Sequence, residues 1–431
     1  MKLLKHTDKN YERRLKQLCA ASSLFDPTIE AGARSIVERV AAKGDAALIE
    51  FAKKFDGATL TAKTLRVPDA ELAAAGKSVD AKLKRAIRFA HRNISQFHKQ
   101  GLRKGWSGCN AQGAKVGEKF DAFERVGIYI PGGTAPLMST ALMTVTLAKV
   151  AGCKEIVVCT PCDKDGAVNP GLLHAAKIAG ATEIYRVGGA HAIAAMAHGT
   201  KTIAPVQKIF GPGNAYVVAA KRLLVGHVSI DLLPGPSEVL VLADETANPA
   251  FAAADILAQA EHGSGHERCW LVSASERVIK AVKQEIQKQL PDRSRADYIR
   301  KALKNNGWLI QVKSRGEGIA LANRLAPEHC EVMVKNPREA AKEIVTAGAL
   351  FLGNTSPTVT GDYVAGPSHT LPTGGAGASF PGLTVDMFQR RTSVVEYTPA
   401  ALRKSIEAIE QFAGVEGLDA HGRSASIRLD S

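Results

Sequence analysis

Two Glu-His pairs stand in this chain in different surroundings: one in "DILAQAEHG", Asp255–Gly263, the other in "LAPEHCE", Leu325–Glu331. Around the first, Ile256, Leu257 and Ala260 have the spacing of a buried helical stripe. Gln259 and His262, three apart, share a face near the end of that helix, Glu261 points elsewhere, and Gly263 ends it. Two ligands do not make a metal site, so further ones must come from distant segments. "GDYVAGPSHTLPTGG" offers Asp362 and His369 in a glycine-rich loop without regular structure, and "GVEGLDAHGR" offers Glu416 and His421 beyond the final helix. Taken singly, each histidine reads more readily as a hydrogen-bonding residue than as a ligand. Helix, loop and tail together keep a metal site open. The second pair sits elsewhere: Pro327 ends a helix, and Glu328-His329 begin a strand. Adjacent strand residues face opposite sides, but at a turn both can reach one cleft. A carboxylate beside an imidazole suits two proton transfers, because one pKa can lie well below the other.

Three loops have the composition of a dinucleotide site. "YIPGGTAPLMS" (Tyr129–Ser139), "VGGAHAIAA" (Val187–Ala195) and "FGPGNAYVV" (Phe210–Val218) each run from a strand end through glycines into a helix start. Glycine lets backbone N–H groups approach a phosphate, and the helix N-terminus adds positive potential. Asn214 suits the N-cap of its helix. Ordinary βα turns also need glycine, and no G-x-G-x-x-G is present. Among the cysteines, the C-x-x-C of Cys159 and Cys162 reads as a surface feature. Cys330, beside His329, is the one candidate nucleophile.

The elements that must hold these residues follow from periodicity. The first hundred or so residues read as helices. From Arg125 onward short β-rich runs alternate with helical ones, and after "SEVLVLAD" the alternation restarts. The expected fold is α/β: two consecutive incomplete Rossmann-like domains with parallel sheets, a helical N-terminal region and a small C-terminal helical tail. The boundaries fall at residues 1–110, 111–240, 241–380 and 381–431.

Composition narrows the class. At 431 residues, 45% hydrophobic and 23% charged, the chain fits a soluble multidomain protein. No apolar run approaches the roughly 20 residues that span a bilayer, and the charged start "MKLLKHTDKNYERR" lacks a secretory h-region. Seven scattered cysteines fit reduced thiols in a cytoplasm. The net charge of +14 raises a nucleic-acid reading, centred on "AKLKRAIRFAHRN". There Leu83, Ile87, Ala90 and Ile94 form an apolar stripe, so the charges are a solvated face and neither nucleic acid nor membrane is an expected partner.

With these motifs in place, the chain resembles the histidinol dehydrogenases. "IYIPGGTAPLMST", "GPGNAYV", "GPSEVLVLAD", "AQAEHG", "APEHC", "GDYVAGPSHTLPT" and "GLDAHG" occur in that family's order and approximate spacing. The resemblance implies a zinc- and NAD-dependent oxidation of L-histidinol to L-histidine through histidinal, in an intertwined homodimer. It implies that Gln259, His262, Asp362 and His421 bind zinc, which holds the substrate, and that Glu328 and His329 are the acid/base pair. Ser139, Ser237, His369 and Glu416 would contact substrate together with the zinc ligands and His329, and Tyr129, His191 and Asn214 would line the NAD site. Three features depart from the family pattern: His191 replaces a usual glutamine, "DLLPGPSE" replaces the usual lead-in to Ser237, and Cys330 stands where an aliphatic residue is commoner. An imidazole at 191 is expected to make NAD affinity pH-dependent between about pH 6 and 8. A paralogous zinc/NAD dehydrogenase acting on a sulfonated diol is the alternative, against which Glu416 would repel the anion. A zinc hydrolase or a basic binding protein are the readings from other classes.

Overall fold

The computed structural model describes residues 1–19, 26–132 and 136–430. The chain opens with strand β1 (Lys2–Lys5), then helices α1 (Pro27–Lys43), α2 (Asp45–Phe51) and α3 (Ala81–Lys99). The Asp26 carboxylate caps α1, and Pro27 stands in its first turn, so both signals that start a helix are present. Helix α3 buries Ile87, Ala90, Ile94 and His98, while Lys82, Arg85, Arg88 and Arg92 are exposed, as a solvated basic face requires.

Strands β2 (Trp106–Cys109) and β3 (Lys115–Ala122) form a hairpin. The first parallel sheet follows: β4 (Arg125–Tyr129), β5 (Glu155–Thr160), β6 (Glu183–Arg186), β7 (Lys208–Phe210) and β8 (Ser229–Ile230), in the order β6-β5-β4-β7-β8. Its connecting helices are α4 (Met138–Ala151), α5 (Pro170–Ala179), α6 (Gly189–His198) and α7 (Ala215–Leu223). The second sheet holds β9 (Glu238–Ala243), β10 (Arg268–Ser273), β11 (Gly307–Gln311), β12 (His329–Met333) and β13 (Ala349–Leu352), in the order β1-β11-β10-β9-β12-β13. With β4 and β9 each counted as a first strand, and β1 added at the outer edge of the second sheet, both sheets contain the order 3-2-1-4-5. This is the Rossmann order without its sixth strand, and both are parallel throughout. The expected pair of incomplete Rossmann-like units is therefore present. Helix α8 (Pro249–Ala260) follows β9, and α9 (Thr358–Tyr363) follows β13.

Apolar clusters lie on both faces of each sheet, which explains why the central strands are apolar at every position rather than at alternate ones. Strand β1 was not anticipated. Its "KLLK" is too short and too charged to be separated from the helical region by pattern, and it is held by parallel pairing with β11. Near the C-terminus, β14 (Gln389–Glu396) pairs antiparallel with β3. Just before it, Phe388 stacks on Phe210 with centroids 3.8 Å apart, tying the tail segment to the first sheet. Helices α10 (Ile406–Glu416) and α11 (Asp419–Ser426) pack chiefly on each other.

Two expectations need correction. Asp362 lies on α9, not in an irregular loop: residues 358–363 contain no proline and one glycine, and the Pro357 carbonyl and the Thr358 N–H both find partners. Glu416 is the last residue of α10 and His421 lies on α11, so neither is beyond the final helix. Gly417, at φ +70, ends α10 in the left-handed region, and a new helix starts at Asp419. Gly133 of the Tyr129–Ser139 loop lies outside the described residues.

Candidate active site

A crevice of about 1460 Å³ opens at the carboxyl ends of β4, β5, β6 and β7. In an open α/β sheet this is where the strand order reverses and where ligands bind. Its volume exceeds that of an ordinary drug-sized pocket and accommodates a dinucleotide. The backbone is built for close approach: a Cβ on Gly132 would lie 2.4 Å from Pro161, and one on Gly211 (φ +111) would lie 2.1 Å from the Tyr129 carbonyl. Tyr129, buried at the end of β4, accepts the Gly189 N–H at 3.0 Å and so fixes the turn into α6. Asn214 caps α7, accepting from the Tyr216 and Val217 N–H groups. Beneath that turn Lys221 and Asp231 form a fully buried ion pair. Asp231 also accepts the Gly211 N–H at 2.8 Å, and Lys221 donates to the Gly211 and Leu232 carbonyls. All the expected crevice residues are thus brought together.

His191 is among them, but its expected titration is overturned. Only 2% exposed and packed against Phe51 and Phe55, its imidazole is pushed down to about 3 by burial. It stays neutral across the physiological range, with both ring nitrogens unpartnered. The C-x-x-C is also not a surface feature. Cys159 lies within β5 and is fully buried, and Cys162 lines the crevice.

The second constellation lies at the opposite, amino ends of the second sheet. Glu328 and His329 open β12 beside Glu238, the first residue of β9. The Glu238 N–H donates to Glu328 Oε2 at 2.8 Å, and its carbonyl is 3.0 Å from His329 Nδ1. One residue's backbone therefore orients both members of the pair, whose charged atoms are 3.6 Å apart. Both side chains are nearly inaccessible. Burial raises the Glu328 carboxyl to about 7, with the His329 charge opposing. Burial works to lower His329, but the Glu328 and Asp362 carboxylates outweigh it and hold the ring above its ordinary range. His329 Nε2 lies 3.5 Å from Asp362 Oδ1.

Three imidazoles share one arrangement here. Nδ1 of His262 lies 3.0 Å from the Gln259 carbonyl, Nδ1 of His329 lies on Glu238, and Nδ1 of His369 is 3.1 Å from the Asp362 carbonyl. Each ring is thereby set to donate through Nδ1, which leaves Nε2 of His262 and His369 as an acceptor, while Nε2 of His329 faces the Asp362 carboxylate as a donor. His262, His329 and His369 all act electrostatically on Asp362. Gln259, one turn from Asp255 on α8, is 2% exposed with its Nε2 unpartnered. His369 Nε2 meets Thr140 Oγ1 at 3.2 Å, and Thr140 follows Ser139 at the start of α4. Helix α4 thus links the crevice, lined by Tyr129 and Pro136, to this cluster. Ser237 immediately precedes Glu238.

Glu416 and His421 are not brought to the cluster. Both are exposed on the tail, and among the described residues no three His, Cys, Asp or Glu side chains are grouped to hold a metal. The same tail exposes Phe412 and Val415, at 70% and 88%. Cys330 is fully buried and its thiol is pushed up to about 12, so it packs rather than attacks. Sequence reasoning missed Glu238 and Thr140. A charged residue opening an otherwise apolar strand was the available signal for the first. Nothing in the sequence marks the second.

Two Rossmann-ordered lobes, one with a dinucleotide-sized crevice and the other with a buried carboxylate–imidazole pair, define the class: a two-lobed α/β enzyme of the dehydrogenase type. The family model described as histidinol dehydrogenase matches residues 21–429. The chain is 46% identical over 402 residues to histidinol dehydrogenase of Synechococcus sp., covering 93% of this chain and 92% of that one. It is 45% identical over 433 residues to that of Bacteroides fragilis, covering 100% and 99%. The crystal structure of histidinol dehydrogenase from Elizabethkingia anophelis superimposes with a TM-score of 0.94 at 37% identity, covering 100% of this chain and 98% of that one. The chain belongs to the histidinol dehydrogenase family. Among the described residues no helix is long and apolar enough to cross a membrane.

Proposed function

We propose that the chain oxidises L-histidinol to L-histidine by way of L-histidinal, using NAD and zinc. The observation that carries this reading is that His262, His329 and His369 all lie within electrostatic reach of Asp362, each ring docked through Nδ1 on a backbone carbonyl. Gln259, His262 and Asp362 offer an amide oxygen, an imidazole nitrogen and a carboxylate oxygen, a donor set that suits Zn²⁺. Gln259 is buried with its amide Nε2 unpartnered, and turning that amide over would present its oxygen to the ion. In this reading His421 is the fourth zinc ligand and Glu416 a substrate contact, both delivered by a tail that crosses to a second copy of the chain. The exposed Phe412 and Val415 support such an exchange. When bound, zinc would hold the substrate, and NAD would supply the hydride acceptor for each of the two oxidations.

The chain's own residues manage protons and position. His329 Nε2 takes the hydroxyl proton of the alcohol. With the Asp362 carboxylate engaged by a cation, the ring loses part of the pull that raises its pKa. Glu328, held near 7 by burial, takes a proton from the water that attacks the aldehyde. Ser139 and Ser237 flank the substrate from α4 and the lead-in to β9, His369 contacts it beside Thr140, and Glu416 attracts its ammonium group. Tyr129, His191 and Asn214 line the cofactor's crevice. Seven free cysteines and this cofactor suit the reducing cytoplasm. The test is NADH formation from histidinol by the purified protein. The expected result is two NADH per histidine, abolished by a chelator and restored by zinc. Histidinol that yields no NADH, or turnover indifferent to chelation, would overturn the reading.

A further inference from the structure

Two buried carboxyls face each other between α8 and β12, outside the residues assigned so far. Asp255 and Glu331 are 6% and 1% exposed, and among the described residues no cation balances either. Glu331 Oε1 accepts the Thr358 N–H at 3.0 Å. Its Oε2 is buried without an N–H or hydroxyl donor, and the Asp255 carboxyl is its interacting neighbour. Two carboxylates have no proton to share, so one of them must be an acid. Because Oε1 is the oxygen that accepts an N–H, the proton belongs on Oε2 of Glu331 and is donated to Asp255. Burial and the facing carboxylate both push the Glu331 carboxyl well up, in agreement with that assignment.

Each contact belongs to an element that carries a site residue. Asp255 stands one turn before Gln259 on α8. Glu331 lies two residues after His329 on β12, on the same face of the strand. Thr358 opens α9, which carries Asp362. We propose that Asp255 and Glu331 are positioning residues whose one shared proton locks α8, β12 and α9 together, setting Gln259, His262 and Asp362 against Glu328 and His329. The metal side of this inference rests on the zinc reading above. An acid–carboxylate hydrogen bond is about twice as strong as one between neutral groups, which suits a joint that must hold a metal site to a fixed geometry.

Two variants test it. Glu331→Gln puts an amide oxygen at the Thr358 N–H and an amide N–H at Asp255, with no titratable proton. Glu331→Met keeps the length and removes both contacts. In the infrared difference between wild type and Glu331→Gln, a carboxylic-acid C=O band present in the wild type should be missing from the variant. Zinc affinity, measured by chelator competition, should stay within about twofold in Glu331→Gln and fall about 10–100-fold in folded Glu331→Met, the loss typical of removing a ligand's support. No missing acid band, zinc lost from folded Glu331→Gln, or Glu331→Met binding zinc as the wild type does would each overturn the proposal. If Glu331→Met does not fold, the two readouts on Glu331→Gln decide. A wild-type chain that holds no zinc would defeat the metal reading and the positioning role with it, while the infrared band would still decide the shared proton.

Discussion

In the first lobe the amino ends of three neighbouring strands carry Arg125, Glu155 and Glu183. In the second lobe the matching end of the central strand carries Glu238, its neighbours carry Arg268 on one side, and Glu328 with His329 stand on the other. In the first set, Arg125 reaches Glu155 at 2.6 Å and holds both oxygens of Glu183 at 2.8 and 2.9 Å. Those guanidinium hydrogen bonds hold the Glu183 carboxyl down to about 2. In the second set, Arg268 stands 3.5 Å from Glu238, whose other oxygen is unpartnered, and burial raises both Glu238 and Glu328 to about 7. The same edge of the same strand order is thus electrostatically closed in one lobe and left able to exchange protons in the other. The carboxyl ends show the reverse. The first lobe opens into the crevice, while in the second the Asp244 carboxylate after β9 accepts the Lys335 N–H after β12 at 2.8 Å and closes the switch point. Duplicating a fold does not duplicate a site; local charge balance decides which end does chemistry.

Changing the second lobe should therefore alter turnover without altering cofactor binding. His329→Asn should lower kcat by about 10²–10⁴. NAD affinity, by fluorescence titration, should stay within about twofold, and a parallel loss would break the division between lobes. His262→Asn and His421→Asn should each lose zinc and activity with the fold intact. If the tail crosses between copies, coexpressing the two variants should restore about a quarter of wild-type activity, since half of the dimers are mixed and each of those has one intact site. No restoration would place His421 in its own chain's site or outside any site.

In the first lobe the expected effects are smaller. His191→Gln should change NAD affinity a few-fold at most and leave its pH dependence between about pH 6 and 8 unaltered, because the buried imidazole is neutral throughout that range. A slope seen in the wild type and missing from the variant would contradict this. Glu183→Gln should leave turnover unchanged and lower stability by about 1–3 kcal/mol at neutral pH, a value reduced for the pair's partial exposure. The folded carboxyl lies near 2, below its ordinary 4.5. Its contribution is complete above about pH 4.5 and lost as pH falls toward 2. Urea unfolding of both proteins should converge over that interval, and a constant gap would show that Glu183 acts through packing.

Much of this was legible in the sequence, for identifiable reasons. Central strands such as "EIVVCT" and "SEVLVLAD" have continuous apolar interiors behind an opening glutamate, and they form where periodicity puts them. Helix α8 was readable from the spacing of Ile256, Leu257 and Ala260, but it ends at Ala260, so His262 stands in the turn beyond it, held at the Gln259 carbonyl rather than on a shared helix face. What failed depended on tertiary contact. Strand β1 needs β11, the helix of Asp362 needs the Glu331 carboxyl at its first N–H, and the neutrality of His191 comes from Phe51 and Phe55. An imidazole's type is visible in a sequence, but its pKa is set by what packs around it. The Asp255–Glu331 pair was hidden for the same reason: each looks like an ordinary acidic residue until burial places them face to face.

The central claim is that proton transfer belongs to the amino end of the second sheet and cofactor binding to the carboxyl end of the first. Single-turnover kinetics of Glu328→Gln on histidinol and histidinal separately, with NAD affinity measured on the same samples, test it most directly. The account predicts aldehyde oxidation slowed by about 10²–10⁴, the alcohol step affected less, and NAD affinity unchanged. Normal turnover of histidinal, or a loss of NAD affinity that accounts for the slower rate, would contradict it.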